Sequence, residues 1–202
     1  MQSSAAPPRP FPLPRFLGDA SGATAVEFGL VSIPFFALLG AILQIAFMTW
    51  AQENLDFTFQ KAARSVFTGQ FQTDPANSGA TTTTLLQAIH DQMCGPSSSN
   101  GKSTVYNCAG AKVDLKIGTN FANTTFQAPV NPNTRAWATG FGTNYTCAAP
   151  GAIVIATAAV EFPLFFRLWD LGLSSFSDGG VLLQSTAVFR TEPYRTSGAS
   201  PC

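Results

Sequence analysis

The side chains that could do chemistry in this chain are four cysteines and a single histidine. The cysteines are Cys94, Cys108, Cys147 and Cys202, no two of them form a CxxC pair, and His90 alone cannot complete a usual zinc set. Cys94 and Cys108 flank a loop rich in Gly, Pro, Ser and Asn, which favours a disulfide between these two. Four cysteines permit three pairings in all, and four free or buried thiols are the alternative reading.

The composition argues against catalysis and against nucleic-acid binding. The 202 residues contain 11 basic and 11 acidic side chains, so no positive excess is available to hold a phosphate backbone. The sequence has no P-loop, GxSxG, HExxH or dinucleotide-binding fingerprint. We therefore predict no catalytic residue, no metal site and no cofactor, interpret His90 as a surface or packed residue, and expect that the protein is not an enzyme.

The element that dominates the sequence is an uncharged apolar run between Glu27 and Glu53. The 23 residues from 28 to 50 (50 − 28 + 1) would extend about 35 Å as a helix, enough to cross the roughly 30 Å hydrocarbon core of a bilayer. Pro34 lies inside the run and predicts a kink, because it removes one backbone hydrogen bond. A buried core helix and a cleaved secretory signal are the alternatives to this transmembrane helix.

The charges that flank the apolar run indicate its orientation. Arg9 and Arg15 precede it, whereas Glu53 and Asp56 are the first ionisable residues after it. The positive-inside rule therefore places the N-terminus in the cytoplasm and the bulk of the chain outside. We expect a single-pass membrane protein with its head outside the cytoplasm, and an oxidising exterior fits the four cysteines.

The rest of the chain predicts an α+β protein in three parts. Residues 1–22 are rich in Pro, Ser and Ala and read as a leader, residues 23–68 as one transmembrane and then amphipathic helix, and residues 69–202 as a head. In the head we expect a short helix, a small antiparallel sheet, and a long loop at residues 119–147. The predicted short helix covers residues 84–93, and the predicted strands cover residues 112–118, 152–162 and 181–191. In the first strand the alternation predicts Val113, Leu115 and Ile117 facing inward, and Lys112, Asp114 and Lys116 facing outward.

The stretch with the most functional information is SGATAVEFGLVSIPFF, in which Gly22 and Ala23 precede Glu27 and Phe28. A small residue, a short uncharged spacer, one carboxylate and then a membrane span is the layout of type IV pilin-like precursors. Residues 21–68 resemble the TadE family of the tight-adherence (Tad, or Flp) pilus system. The chain's ending, QSTAVFRTEPY, is similar to the C-terminal strand of that family.

The resemblance implies a pseudopilin, or minor pilin, matured by a prepilin peptidase that cuts between Gly22 and Ala23. Glu27 would then be the fifth residue of the mature chain, and Phe28 stands where the major Flp pilins carry Tyr. The implied partners are that peptidase, the major Flp pilin, other pseudopilins and the inner-membrane assembly platform, and the mature protein could also enter the extracellular pilus. A permanently membrane-anchored periplasmic binding or structural protein is the alternative.

The Glu27 carboxylate could have a structural role at the membrane edge or a functional role in assembly. A carboxylate at the bilayer edge can be a simple interfacial flank, and it suits the positive end of the helix dipole. Deeper in the bilayer a lone charge costs roughly 2.5–3.5 kcal/mol or more, so such groups are usually paired. The α-amino group that cleavage would create at Ala23 is mostly cationic at neutral pH and is the natural partner. We therefore expect Glu27 to act in assembly.

Overall fold

The structure, a computed structural model, describes residues 22–96, 104–122, 127–165 and 172–195. The predicted leader, apart from Gly22, lies outside the described residues, and so does Cys202. Helix α1 spans Ala23–Phe67 and continues through Pro34. The internal contacts of the protein divide the chain into two compact units, with the boundary between Ile42 and Leu43. The first unit contributes only the beginning of α1 to the described residues, and the second contains its remainder and all the other elements.

Helix α1 ends where the sequence places a glycine. Gly69 adopts a positive φ of 78°, a left-handed conformation that glycine reaches without strain. Its N–H donates to the Val66 carbonyl, and the N–H of Thr68 donates to the Arg64 carbonyl. A Cβ at position 69 would overlap the ring of Tyr194, so the space is closed as well. The predicted end of the helix at residue 68 is therefore confirmed to within one residue, and both backbone conformation and packing explain it.

Among the described residues, two short α-helices follow α1 in the second unit. Helix α2 covers Gln70–Thr73, and helix α3 covers Thr82–Cys94, so the predicted helix at residues 84–93 is confirmed with one extra residue or two at each end. Thr81 caps α3, since its hydroxyl accepts a hydrogen bond from the N–H of Thr84.

Three antiparallel strands form the main sheet, in the spatial order β1, β4, β5. These strands are β1 (Lys112–Gly118), β4 (Ile153–Phe162) and β5 (Val181–Arg190), which confirms all three predicted strands to within one residue at either end.

A separate hairpin, β2 (Val130–Asn131) with β3 (Ala136–Trp137), lies between β1 and β4 in the chain. The prediction of a plain loop at residues 119–147 was therefore wrong for its central part. Side-chain contacts hold this hairpin: Trp137 stacks on Phe141 and packs against Phe176.

The hydrophobic core forms between the second half of α1 and the sheet. The helix contributes a stripe at three- and four-residue spacing, and β4 contributes small residues that let the helix approach closely. This stripe confirms the predicted amphipathic face of the helix. The buried members of this core are Ala51, Leu55, Phe59, Ala62 and Val66 on the helix, and Val154, Ala156, Ala158 and Val160 on the strand.

Strand β1 departs from the predicted alternation at two positions. Ile117, predicted to face inward, is 39% exposed, and Asp114, predicted to face outward, is only 4% exposed. The carboxylate of Asp114 is covered by the turn that follows β3, and it accepts hydrogen bonds from the backbone N–H groups of Gly142 (2.8 Å) and Asn144 (3.1 Å). The amide of Asn144 also donates to it, over 2.8 Å. Burial of this charge is tolerated because three N–H donors satisfy it.

Candidate functional site

The predicted processing and assembly residues lie at the start of helix α1. Gly22 is the first described residue, the helix begins at Ala23, and Glu27 is its fifth residue. The side chains of Glu27 and Phe28 are exposed, the latter at 73%. A Cβ added at Gly22 would meet nothing within 4 Å, so nothing in the described packing requires glycine there. A requirement for a small residue at position 22 would therefore come from another molecule.

The helix that follows Glu27 is apolar and exposed around its whole circumference. Ser32 does not interrupt it, because its hydroxyl donates to the Gly29 carbonyl within the helix. Helix α1 is long and apolar enough to cross a membrane. Most residues of its most hydrophobic 18-residue segment are not buried. So many exposed apolar side chains are stable only in lipid or against other apolar helices. The large exposed ones up to Ile42 are Val26, Phe28, Leu30, Val31, Ile33, Phe35, Phe36, Leu38, Leu39 and Ile42.

Two of the cysteines, Cys94 and Cys108, lie with His90 at the C-terminal end of α3. Cys94 and Cys108 are joined in a disulfide, the pairing that the loop between them favours, with their Cα atoms 5.8 Å apart. His90 Nε2 lies 2.8 Å from the Cys108 carbonyl oxygen, so the imidazole can anchor the same turn. Cys147 is also disulfide-bonded. The histidine thus occupies a structural position beside the cross-link.

Removing the Cys94–Cys108 cross-link should destabilise the head. The bridge closes a sequence separation of 14 residues, for which the chain-entropy model gives about 3 kcal/mol. We expect the variant Cys94→Ala/Cys108→Ala to lose about that much free energy of unfolding in a urea titration of the full chain in detergent. Wild-type protein with its disulfides intact is the reference. A double variant as stable as wild type would show that the cross-link does not constrain the unfolded chain.

Two acidic groups of the head were not singled out by sequence reasoning. Asp114 fastens the turn after β3 to β1, as described above. Glu161, near the end of β4, has a raised pKa, first because burial disfavours its charge and then because it hydrogen-bonds to Asp178 and feels that carboxylate's charge. No sequence pattern marks either group, because their partners come from loops distant in the chain. Within the described residues, no three His, Cys, Asp or Glu side chains gather in a metal-binding group.

Comparison with known protein families gives a match on helix α1. Residues 22–64 match the family model described as TadE-like protein. The match begins at Gly22, includes Glu27 and covers most of α1, which confirms the resemblance stated for residues 21–68. No curated protein and no solved structure matches the chain.

Proposed function

We propose, from the TadE-like segment at residues 22–64, that this protein is a pseudopilin or minor pilin that helps to assemble a Tad (Flp) type IVb pilus for surface adhesion. The observation that carries the proposal is the helix itself. It begins at Ala23, places Glu27 fifth, and then presents apolar side chains on every face. Such a helix can lie in a bilayer and can equally pack among other apolar helices, as a subunit that moves from membrane to fibre must.

The same geometry supports a maturation step that we also propose. A prepilin peptidase that cuts between Gly22 and Ala23 would remove the leader, residues 1–22, and leave a free α-amino group on the first residue of the helix. Residues 23 and 27 are about 6 Å apart along the helix axis. The new cation and the Glu27 carboxylate would therefore lie at one end of the helix. A neighbouring subunit could pair with either charge and so fix its axial position.

The proposed topology places the leader in the cytoplasm and the head, residues 69–202, in the periplasm. The disulfide between Cys94 and Cys108 supports this side for the head, because such bonds persist in oxidising compartments. The proposed partners are the prepilin peptidase, the major Flp pilin, other pseudopilins and the inner-membrane assembly platform. In this role the protein acts by packing against them and not by catalysis.

Cleavage tests the proposal against a permanent membrane anchor. We expect wild-type protein from its native host to begin with ATAVEF, and we expect Gly22→Phe to remain uncut, because a bulky side chain would occupy the peptidase's cleft beside the scissile bond. N-terminal sequencing and intact mass measure both. Gly29→Phe is the matched control, since position 29 also has open space around it and should be processed normally. Wild-type protein that keeps Met1 would favour the permanently anchored periplasmic binding or structural protein.

A further inference from the structure

Strand β5 is one edge of the main sheet. Along it, the N–H and C=O groups of one residue point toward β4, and those of the next residue point away from the sheet. The N–H of Thr191 donates to the Ala152 carbonyl, so residue 191 faces β4. Counting back in steps of two, the odd-numbered residues of β5 face β4 and the even-numbered ones face away. The outward N–H and C=O groups therefore belong to residues 182, 184, 186, 188 and 190.

Two backbone groups at this edge hydrogen-bond to helix α1, and between them the ring of Phe67 packs edge to face against Phe189, with ring centroids 5.8 Å apart. Gln52 Nε2 donates to the Gln184 carbonyl over 2.9 Å, and the N–H of Glu192 donates to the Phe67 carbonyl over 2.9 Å. Between these contacts lie Thr186, Val188 and Arg190. Across the part of the chain that the structure describes, their outward backbone groups have no hydrogen-bond partner. An exposed strand edge of this kind is a template for an added strand.

A groove of about 680 Å³ lies between the helix and the end of β5. Its walls are aromatic, with Phe57, Phe67 and Phe189, and Phe57 is 70% exposed. Lys61 and Arg64, one turn apart on the helix, also line it and form no ion pair with another described residue. The remaining lining residues are Gln60, Ala63, Thr68 and Glu192.

We propose that this groove binds an extended segment of a partner protein, which adds as a fourth strand to the outer edge of β5. The open backbone groups of residues 186–190 require an occupant with backbone N–H and C=O groups of its own, in an extended conformation. The aromatic walls favour an apolar side chain at its centre. Lys61 and Arg64 outnumber Glu192, so the occupant carries carboxylates on the face that meets the helix.

A second copy of this chain fits the groove poorly. Two β5 edges brought together by a two-fold axis would set the Lys61 and Arg64 of one copy toward the same cations of the other. Like charges at such an interface oppose association. The charge of the groove therefore selects an acidic segment from a different protein.

Binding of a designed peptide tests the proposal directly. The probe is acetyl-TDTFTDT-amide, in which two Asp residues and one Phe share one face of a strand, and the matched control replaces both Asp by Lys. The full-length protein in detergent is titrated with each labelled peptide by fluorescence anisotropy. We expect saturable binding of the acidic peptide, and binding at least tenfold weaker for the Lys peptide.

Variants separate the backbone contribution from the charge contribution. Val188→Pro removes one outward N–H and no bond to β4, so we expect at least tenfold weaker binding, whereas Val188→Thr keeps the N–H and should stay within twofold of wild type. Lys61→Glu/Arg64→Glu should also weaken binding at least tenfold. Because proline can perturb the strand, hydrogen exchange on wild-type protein gives a second measurement. The amides of Thr186, Val188 and Arg190 should exchange more slowly with peptide bound.

Several results would overturn the proposal. These are no binding of the acidic peptide at millimolar concentration, equal binding of the Lys peptide, or unchanged exchange at residues 186, 188 and 190. Binding of phosphatidylglycerol vesicles that is lost in Lys61→Glu/Arg64→Glu, without peptide binding, would instead assign the cations to a lipid surface. None of these measurements depends on leader cleavage or on pili, so the strand-addition site and the pseudopilin role can fail separately.

Discussion

Replacing Phe59 by alanine is expected to lower the free energy of unfolding of the second unit by about 3–5 kcal/mol. Phe59 is only 1% exposed and is among the largest fully buried side chains of the core between α1 and the sheet. Its loss removes apolar contact area and leaves a cavity in the core. Urea unfolding of the full chain in detergent, followed by near-ultraviolet circular dichroism, measures the change.

Phe57 supplies the matched control for this prediction. It lies two residues away on the same helix but is 70% exposed, so Phe57→Ala should change the free energy of unfolding by no more than about 0.5 kcal/mol. Equal losses in the two variants would mean that the second half of α1 does not pack on the sheet as described.

Replacing Glu27 by glutamine is expected to reduce pilus-dependent surface adhesion at least tenfold while the protein is still inserted and cleaved. The substitution keeps the size of the side chain and removes its charge, so a subunit-to-subunit ion pair with the new N-terminus would be lost. The head should be unaffected, because the core of the second unit begins well beyond position 27. Adhesion assays, N-terminal sequencing and membrane fractionation of the same strains measure the three properties.

Glu53→Gln is the control for Glu27→Gln. Glu53 is another exposed carboxylate on α1, at the far end of the apolar run, and its neutralisation should leave adhesion within twofold of wild type. Normal pili and adhesion in Glu27→Gln would favour the permanent-anchor interpretation. Disappearance of the Glu27→Gln protein would assign the carboxylate to insertion or stability, against the assembly role proposed for it.

Local sequence patterns predicted most of the fold because the elements carry strong ones. The uncharged run, the stripe that includes Leu55 and Phe59, and the apolar strands at 152–162 and 181–191 each identify their element without knowledge of the rest of the chain. The motif from Gly22 to Phe28 likewise identified the segment that the family match covers. These features depend on neighbours in sequence.

The features that escaped prediction depend on partners far along the chain. The hairpin within 119–147 is held by packing of Trp137 on Phe176, and Asp114 is buried because the turn at residues 140–144 folds over it. The open edge of β5 is visible only once the pairing register with β4 is known. A period-two pattern predicts which side chains of a strand face the core, but it contains no information about which strand lies at the edge of the sheet.

Glu192 and Tyr194, which contact the C-terminal end of α1, are synthesised long after the helix itself. The Phe67 carbonyl that ends the helix is paired by a residue about 125 positions later, and the ring of Tyr194 covers Gly69. At roughly 5–20 residues per second, the ribosome supplies those residues about 6–25 seconds after the helix. Until β4 is made, within that interval, the stripe around Phe59 lacks the strand on which it packs, so the emerging chain exposes an apolar face to other proteins. Chains that stop before β4 would retain that face, and we expect proteases and chaperones of the receiving compartment to act on them first.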